Sequence, residues 1–507
     1  MSWRKLQNKS VLARFPLDFS TTNVKWANPL ITRANIRAEK LESAAIWPYV
    51  LLASITVLAA ALRFYKLGIW SFWQDELSSV MGVRDGFNED IIRQSLSLTL
   101  IRMTVAFLGT SEWNARLVPA LIGIITIPAL YFPTRKMFGS TIALVSILLL
   151  AVSPWHLYWS QNARFYSFLL LLYALALFAF YFGIEEDRPQ YLLISLFLLG
   201  LAARERLLVL FFIPVVLSYL VLLRVLPFEK PAGFRVRNMS IFFLPAFILA
   251  LFFTFPYLRS VSGWMIGFGR VNNNPLWLLS GVVYYVRIPI MVMAAMGTIY
   301  LLARKDRVAL FLSLSAMIPF LTIMVLSMFQ YTANRYIFIS LPSWIILASL
   351  AAVEIFRKSQ ENTRILAVGV LVFLVLDPLG EDVLYYQYQN GNRDNWKAAF
   401  ALVRQQKKEG ELVVSNSRLL ANYYMREKTE TMEEFDLSRV KETQERIWFV
   451  EDMTVASLRP DMHRWIQKNA QLVANLDVHV HARNFEMRVY SYDPSVPRRW
   501  AAPNPLQ

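Results

Sequence analysis

The sequence predicts a polytopic α-helical membrane protein that carries a soluble α/β domain at its C-terminal end. Three observations lead there. Of 507 residues, 56% are hydrophobic and 14% aromatic, and the mean hydropathy is +0.39, more apolar than a soluble chain of this length. The apolar residues gather into runs of about 17 to 25, the length that crosses a bilayer core. From Gly380 onward hydropathy collapses and charge returns.

About eleven such runs can be read, near 44–63, 117–134, 140–155, 165–184, 189–203, 206–223, 239–258, 277–303, 308–329, 336–356 and 363–379. The first follows a polar lead too long for an ordinary cleaved signal peptide, so it is expected to be a permanent anchor. The net charge of +16 would suit nucleic acid, but its distribution follows topology. With the N-terminus cytoplasmic, Arg135 with Lys136, Arg188, Arg224 to Arg237, Arg304 to Arg307, and Arg357 to Arg364 all fall on the inner side. That is the positive-inside pattern of a multi-pass protein of the cell (inner or plasma) membrane, and no nucleic-acid partner is expected. The absence of cysteine excludes a disulfide framework and a thiolate metal site.

Residues 1–43 read as a basic cytoplasmic segment suited to anionic headgroups. Residues 44–379 read as the transmembrane module. Its long outer loop, 64–116, contains "NEDIIRQSLSLTLIRMTVAFLG" (Asn88–Gly109), whose apolar residues recur at helical spacing and are expected along the interface. Residues 380–507 read as an extracytoplasmic α/β domain: "NWKAAFALVRQQKKEG" is helical, while "ELVVSN", "RIWFVED" and "FEMRVYSYD" are strands. The Pro-rich end "SVPRRWAAPNPLQ" is irregular.

Threading the spans brings costly polar residues to one membrane face. "SFWQDEL" puts Asp75 and Glu76 in the first outer loop, and "SPWHLYWSQNARFYS" turns there with His156, Gln161, Asn162, Arg164 and Tyr166. "LAARERL" adds Arg204, Glu205 and Arg206, and "QYTANRYIFISLP" adds Arg335 and Tyr336. Ionised groups at membrane depth cost a few kcal/mol or more, so they pair, line a cavity or do chemistry. The arginines suit bidentate contact with a phosphate, with headgroup snorkelling as the plain alternative. Arg206 and Glu205 could also neutralise each other. Adjacent helical residues point in different directions, so only one of the two acids should face the cavity. Trp70, Phe72, Trp73, Trp155 and Trp159 read as an interfacial aromatic belt rather than a sugar platform. His479 and His481 share a strand face but lack a third ligand, and no phosphate loop or other nucleotide motif is present.

These motifs resemble the membrane glycosyltransferases of the GT-C superfamily, in the branch of protein O-mannosyltransferases and lipid A aminoarabinose transferases. The resemblance rests on "SFWQDEL", "FLGTSEWNARLVPALIG", "SPWHLYWSQNARFYS", "NRYIFISLP" and a tail opening "NRDNWKAAFALV" with "GELVVSN" and "NYYM". It implies a GT-C fold, a polyprenyl-phosphate sugar donor and a lipid, glycan or protein acceptor. It also implies Asp75 as catalytic base with Glu76 its neighbour, and Arg164, Arg204, Arg335 and Tyr336 at the donor phosphate. Gln161, Arg206 and His156 are further candidates for substrate contacts. The sequence departs from the family pattern at Asn162, where Glu is common, and at "ARERL", which replaces Lys- or His-containing versions.

The chemistry such a site needs is an inverting displacement in which arginines stabilise the leaving phosphate and a carboxylate deprotonates the acceptor. No cofactor is indicated, and assistance by a divalent cation stays open. Two rivals stand beside this reading: a polymerase or ligase using a polyprenyl-diphosphate glycan, and a flippase or transporter of lipid-linked sugar.

Overall fold

The computed structural model describes residues 46–82, 95–248, 250–251, 275–329, 332–441, 445–480 and 483–495. The basic lead 1–43 and most of the Pro-rich end lie outside them. The described residues from Pro48 onward belong to one compact unit.

The chain enters on α1 (Trp47–Phe64), followed by two short loop helices, α2 (Gln74–Met81) and α3 (Leu96–Leu108). Next come α4 (Glu112–Phe138), α5 (Ser140–Ala151), α6 (Pro154–Ser160), α7 (Tyr166–Glu185) and α8 (Pro189–Glu205). Then follow α9 (Phe212–Val225), α10 (Val236–Ile248), α11 (Pro275–Val286) and α12 (Ile288–Ala303). The bundle closes with α13 (Arg307–Leu326), α14 (Leu341–Lys358) and α15 (Glu361–Gln387).

Among the described residues seven helices are long and apolar enough to cross a membrane, or nine if two bent pairs each count as one span. The expected run 189–203 is the 17-residue α8, and 239–258 is described only in part. The bent pairs have local causes. Between α5 and α6 the chain turns by 59° where Ser153 caps the new helix and Pro154 occupies its first turn. Between α11 and α12 the turn is 87°, at Arg287 with φ +76°. The central helices α7 and α14 bury nearly every side chain, whereas α1 and α15 expose most of theirs, as rim helices facing lipid do. This is a multi-pass membrane protein.

The two ends of the bundle differ in charge. α4 spans 27 residues, about 40 Å. At its far end Lys136 pairs with Glu186, Arg235 and Arg237 with Asp187, and Arg307 with Glu185. The basic loops therefore meet at one end, and the start of α4, with Asp75 nearby, marks the other.

The last membrane helix continues past the expected boundary at residue 379 to Gln387. Beyond it lies a five-stranded sheet, order β2-β1-β3-β7-β4. It comprises β1 (Leu412–Ser415), β2 (Glu430–Thr431), β3 (Ile447–Asp452), β4 (Gln471–Leu476) and β7 (Met487–Tyr492). A separate hairpin pairs β5 (His479–Val480) with β6 (Arg483–Asn484). β1 runs parallel to β2 and β3, and β7 antiparallel to β3 and β4. Alternation along the strands sends Val414, Ile447 and Phe449 to one core, with Met462 and Ile466. It sends Val413, Trp448 and Val450 to another, shared with Trp396 and Phe400, Leu77 of α2, and Leu98 and Ile101 of α3. The helices α2 and α3 are thus docked on the C-terminal domain, with Met103, Phe107 and Leu108 of α3 left exposed.

Candidate active site

The two acids of "WQDEL" leave α2 in different directions. Glu76 turns inward and is fully buried. Its oxygens accept Arg116 Nε at 2.7 Å and Nη2 at 2.8 Å, and Oε1 also accepts the Ala163 N–H at 2.8 Å. Arg116, at the start of α4, directs its other N–H groups to the carbonyls of Leu67 at 3.1 Å and of Trp70 and Ser71 at 3.0 Å. Burial pushes the Glu76 carboxyl up, but the charges of Arg116 and Arg393, with hydrogen bonds from Arg116 and Ala163, outweigh it and hold it below the ordinary glutamate value. Expected as a second catalytic acid, Glu76 is instead a strut with no face open to a substrate.

Asp75 stays at the surface of the site, its side chain 33% exposed, with Oδ2 3.5 Å from Arg164 Nη2 and 4.0 Å from Arg335 Nη2. Arg164 is held in turn, donating to the Asp75 carbonyl at 2.7 Å and to Ser79 Oγ at 2.5 Å. Both guanidiniums flank the Trp73 indole, at 5.8 and 5.9 Å from the ring, and Trp73 Nε1 donates to Asn162 Oδ1 at 2.7 Å. Arg335, in the 3-10 stretch Asn334–Ser340, lies 5.8 Å from the Tyr336 ring. Arg206 packs 4.7 Å over Phe165, whose ring also meets Arg164 at 5.3 Å. Tyr166 sits in the combined field of Arg335, Arg164 and Arg206, with Tyr336 beside it. Three cations and one accessible carboxylate, from four separate segments, therefore converge.

Other expected residues are placed differently. Arg204 lies exposed on the last turn of α8. Glu205 does not neutralise Arg206; it caps the start of α3, accepting Ser95 Oγ at 2.6 Å, Ser97 Oγ at 2.5 Å and the Ser97 N–H at 3.1 Å. Gln161 is fully buried and donates to the carbonyls of Arg63 at 2.9 Å and Tyr65 at 2.8 Å, closing the end of α1. His156 is also fully buried, its Nδ1 2.7 Å from Arg63 Nη2. Neither can contact a substrate in this arrangement. Trp70, Phe72, Trp155 and Trp159 are core residues rather than an interfacial belt, because each packs inside the protein. Of the five, Trp73 lies between the two guanidiniums, and Trp159 packs against the Tyr166 ring at a centroid distance of 3.9 Å. His479 is exposed on β5, and His481 lies outside the described residues. Among those residues no group of three or more His, Asp or Glu is arranged to hold a metal ion.

Two arginines that matter escaped the sequence reading. Arg116 sits inside the quoted "SEWNARLVPALIG"; a cation at the start of a membrane helix needs a carboxylate partner, and that requirement was the available signal. Arg393, in "NRDNW", is buried and donates to the Gln161 carbonyl at 2.7 Å. Nothing in its local sequence announces this.

Residues 96–259 match the family model described as Dolichyl-phosphate-mannose-protein mannosyltransferase. No curated protein matches the chain by sequence. Among solved structures, ArnT from Cupriavidus metallidurans in the apo state is 14% identical with a TM-score of 0.55, covering 87% of this chain and 97% of that one. The same protein bound to undecaprenyl phosphate is 14% identical with a TM-score of 0.54, covering 90% and 100%. The Archaeoglobus fulgidus oligosaccharyltransferase tethered with an acceptor peptide is 11% identical with a TM-score of 0.54, covering 81% and 70%. The chain thus shares with these proteins the fold of a bent-helix bundle whose loop helices dock on a small sheet domain, and within that fold residues 96–259 are similar to the mannosyltransferase family model.

Proposed function

We propose that the protein transfers a sugar from a polyprenyl-phosphate donor to a hydroxyl or amine acceptor at the membrane face opposite its basic loops. The observation that carries this reading is the accessible Asp75 carboxylate facing Arg164 and Arg335, with Arg206 beside them. ArnT's complex with undecaprenyl phosphate supports the lipid-phosphate class. In this reading residues 1–43 are cytoplasmic, 44–379 form the membrane module and 380–507 the extracytoplasmic domain.

The reaction is a single displacement. Asp75 takes the proton of the acceptor O–H or N–H as that atom bonds to the anomeric carbon. The bond from that carbon to the phosphate oxygen breaks, and its electron pair leaves with the polyprenyl phosphate. Arg164, Arg206 and Arg335 provide fixed positive charge where the phosphate charge grows. Attack opposite the leaving group inverts the anomeric centre.

The test uses purified protein with a panel of undecaprenyl- and dolichyl-phosphate-linked hexoses and pentoses, reading released lipid. Wild type should liberate polyprenyl monophosphate, and Asp75→Asn should lower turnover by roughly 100- to 10,000-fold while remaining folded. Near-wild-type turnover of Asp75→Asn would refute the assignment. Release of polyprenyl diphosphate instead would move the protein to the glycan polymerase or ligase class.

A further inference from the structure

Each residue from Trp70 to Asp75 is tied down by a tertiary hydrogen bond. Arg116 takes the Trp70 and Ser71 carbonyls, Asn162 takes the Trp73 indole, and Arg164 takes the Asp75 carbonyl. The remaining ties come from the C-terminal domain. Ser71 Oγ donates to the Asp394 carbonyl at 2.5 Å, the Phe72 N–H donates to Tyr424 Oη at 2.7 Å, and Ser417 Oγ donates to Gln74 Oε1. Tyr424 passes the connection on, its O–H donating to Glu112 Oε1 at 3.0 Å, four residues before Arg116 on α4. One hydroxyl thereby joins the segment that leads into Asp75 to α4, whose Arg116 holds Glu76.

We infer that the C-terminal domain is part of the catalytic apparatus and that Tyr424 is a positioning residue that sets the location of Asp75. The inference rests on the proposed role of Asp75. The phosphate-facing arginines come from other segments, the α6–α7 turn, the start of the α9 span and the stretch Asn334–Ser340, none of which Tyr424 touches in these contacts. Loss of its hydroxyl should therefore loosen the base and leave phosphate binding intact. The ring itself stays in place, stacked on Phe400 at a centroid distance of 6.3 Å, so Tyr424→Phe removes the tie without opening a cavity.

Tyr423→Phe is the control. Among the described residues its hydroxyl reaches the Thr110 carbonyl alone, at 3.5 Å, and its ring contact with Phe72 at 5.5 Å survives the substitution. Three measurements are compared between the two variants: hydrogen exchange across residues 67–77, affinity for undecaprenyl phosphate, and turnover of the panel member that wild type accepts. Tyr424→Phe should speed exchange at the Phe72 amide at least about tenfold. It should lower kcat by roughly 10- to 100-fold, the scale of a sub-ångström to 1 Å misplacement, with undecaprenyl phosphate affinity and donor KM unchanged. Tyr423→Phe should change none of these. The inference is overturned if Tyr424→Phe matches Tyr423→Phe in exchange and kcat. It is equally overturned if phosphate affinity falls as much as kcat, which would mark a general structural defect. An inactive Asp75→Asn beside a fully active Tyr424→Phe removes this inference alone, whereas an active Asp75→Asn removes the proposed function beneath it.

Discussion

Glu76→Gln is the sharpest perturbation of the brace beneath Asp75. The Arg116 guanidinium has five N–H bonds, and five acceptors meet them: both Glu76 oxygens and the carbonyls of Leu67, Trp70 and Ser71. Glutamine keeps one oxygen and turns an amide toward the other N–H. One charge-assisted bond is lost, about 1.5–3 kcal/mol, and a fully buried cation loses its counter-charge. Breaking a buried pair from one side costs about 3–5 kcal/mol in all. The assay is denaturant unfolding in mixed micelles of wild type, Glu76→Gln, Arg116→Gln and the double variant. Because the double variant leaves no charge unpaired, it should be less destabilised than the sum of the singles by more than about 1 kcal/mol. A Glu76→Gln protein that unfolds like wild type yet has lost turnover would refute the structural assignment and return Glu76 to the chemistry.

Two further outcomes follow from the same geometry. In the fold Glu76 titrates below its ordinary value of 4.5, so the unfolded chain takes up its proton first as pH falls. Its contribution to stability is full above that value and is lost as pH drops through the lower folded value; unfolding midpoints followed down to about pH 3 should fall more steeply for wild type than for Glu76→Gln. Arg335→Ala should weaken binding of undecaprenyl phosphate by roughly ten- to a hundredfold, the equivalent of one charge-assisted hydrogen bond, with acceptor preference unchanged. Equal affinity, measured in nanodiscs, would remove Arg335 from the phosphate site.

The membrane class was legible because a bilayer imposes a length and a composition on whatever crosses it, and the strands β1, β3 and β7 were legible because "LVVS", "IWFVED" and "MRVYSY" alternate against two cores. The count of spans was less so. Hydropathy does not see the 59° and 87° bends, which depend on capping at Ser153 and on the left-handed backbone of Arg287. The convergence of Asp75, Arg164 and Arg335 followed from topology alone. What local sequence could not reveal was partnership. His156 and Gln161 look like cleft residues until Arg63 and the end of α1 are seen to claim them. Arg393 lies 232 residues along the chain from the Gln161 carbonyl it meets.

Under the proposed mechanism, the pairing of two acids at a membrane edge is a division of labour. A carboxylate that works as a base must keep a lone pair open, so it cannot also be the group that fixes its own position. Burying Glu76 against Arg116 is expensive in desolvation and adds little net stability compared with an apolar pair. Its return is geometric: the same guanidinium that satisfies Glu76 also grips the Leu67, Trp70 and Ser71 carbonyls, so one ion pair fixes the path of the chain into Asp75. Tyr424 and Ser417 hold that path from the other side, and Asp75 stays one-third exposed at its end. Adjacency in sequence is what allows this, since the anchored residue and the free one share a single turn of helix and cannot drift apart.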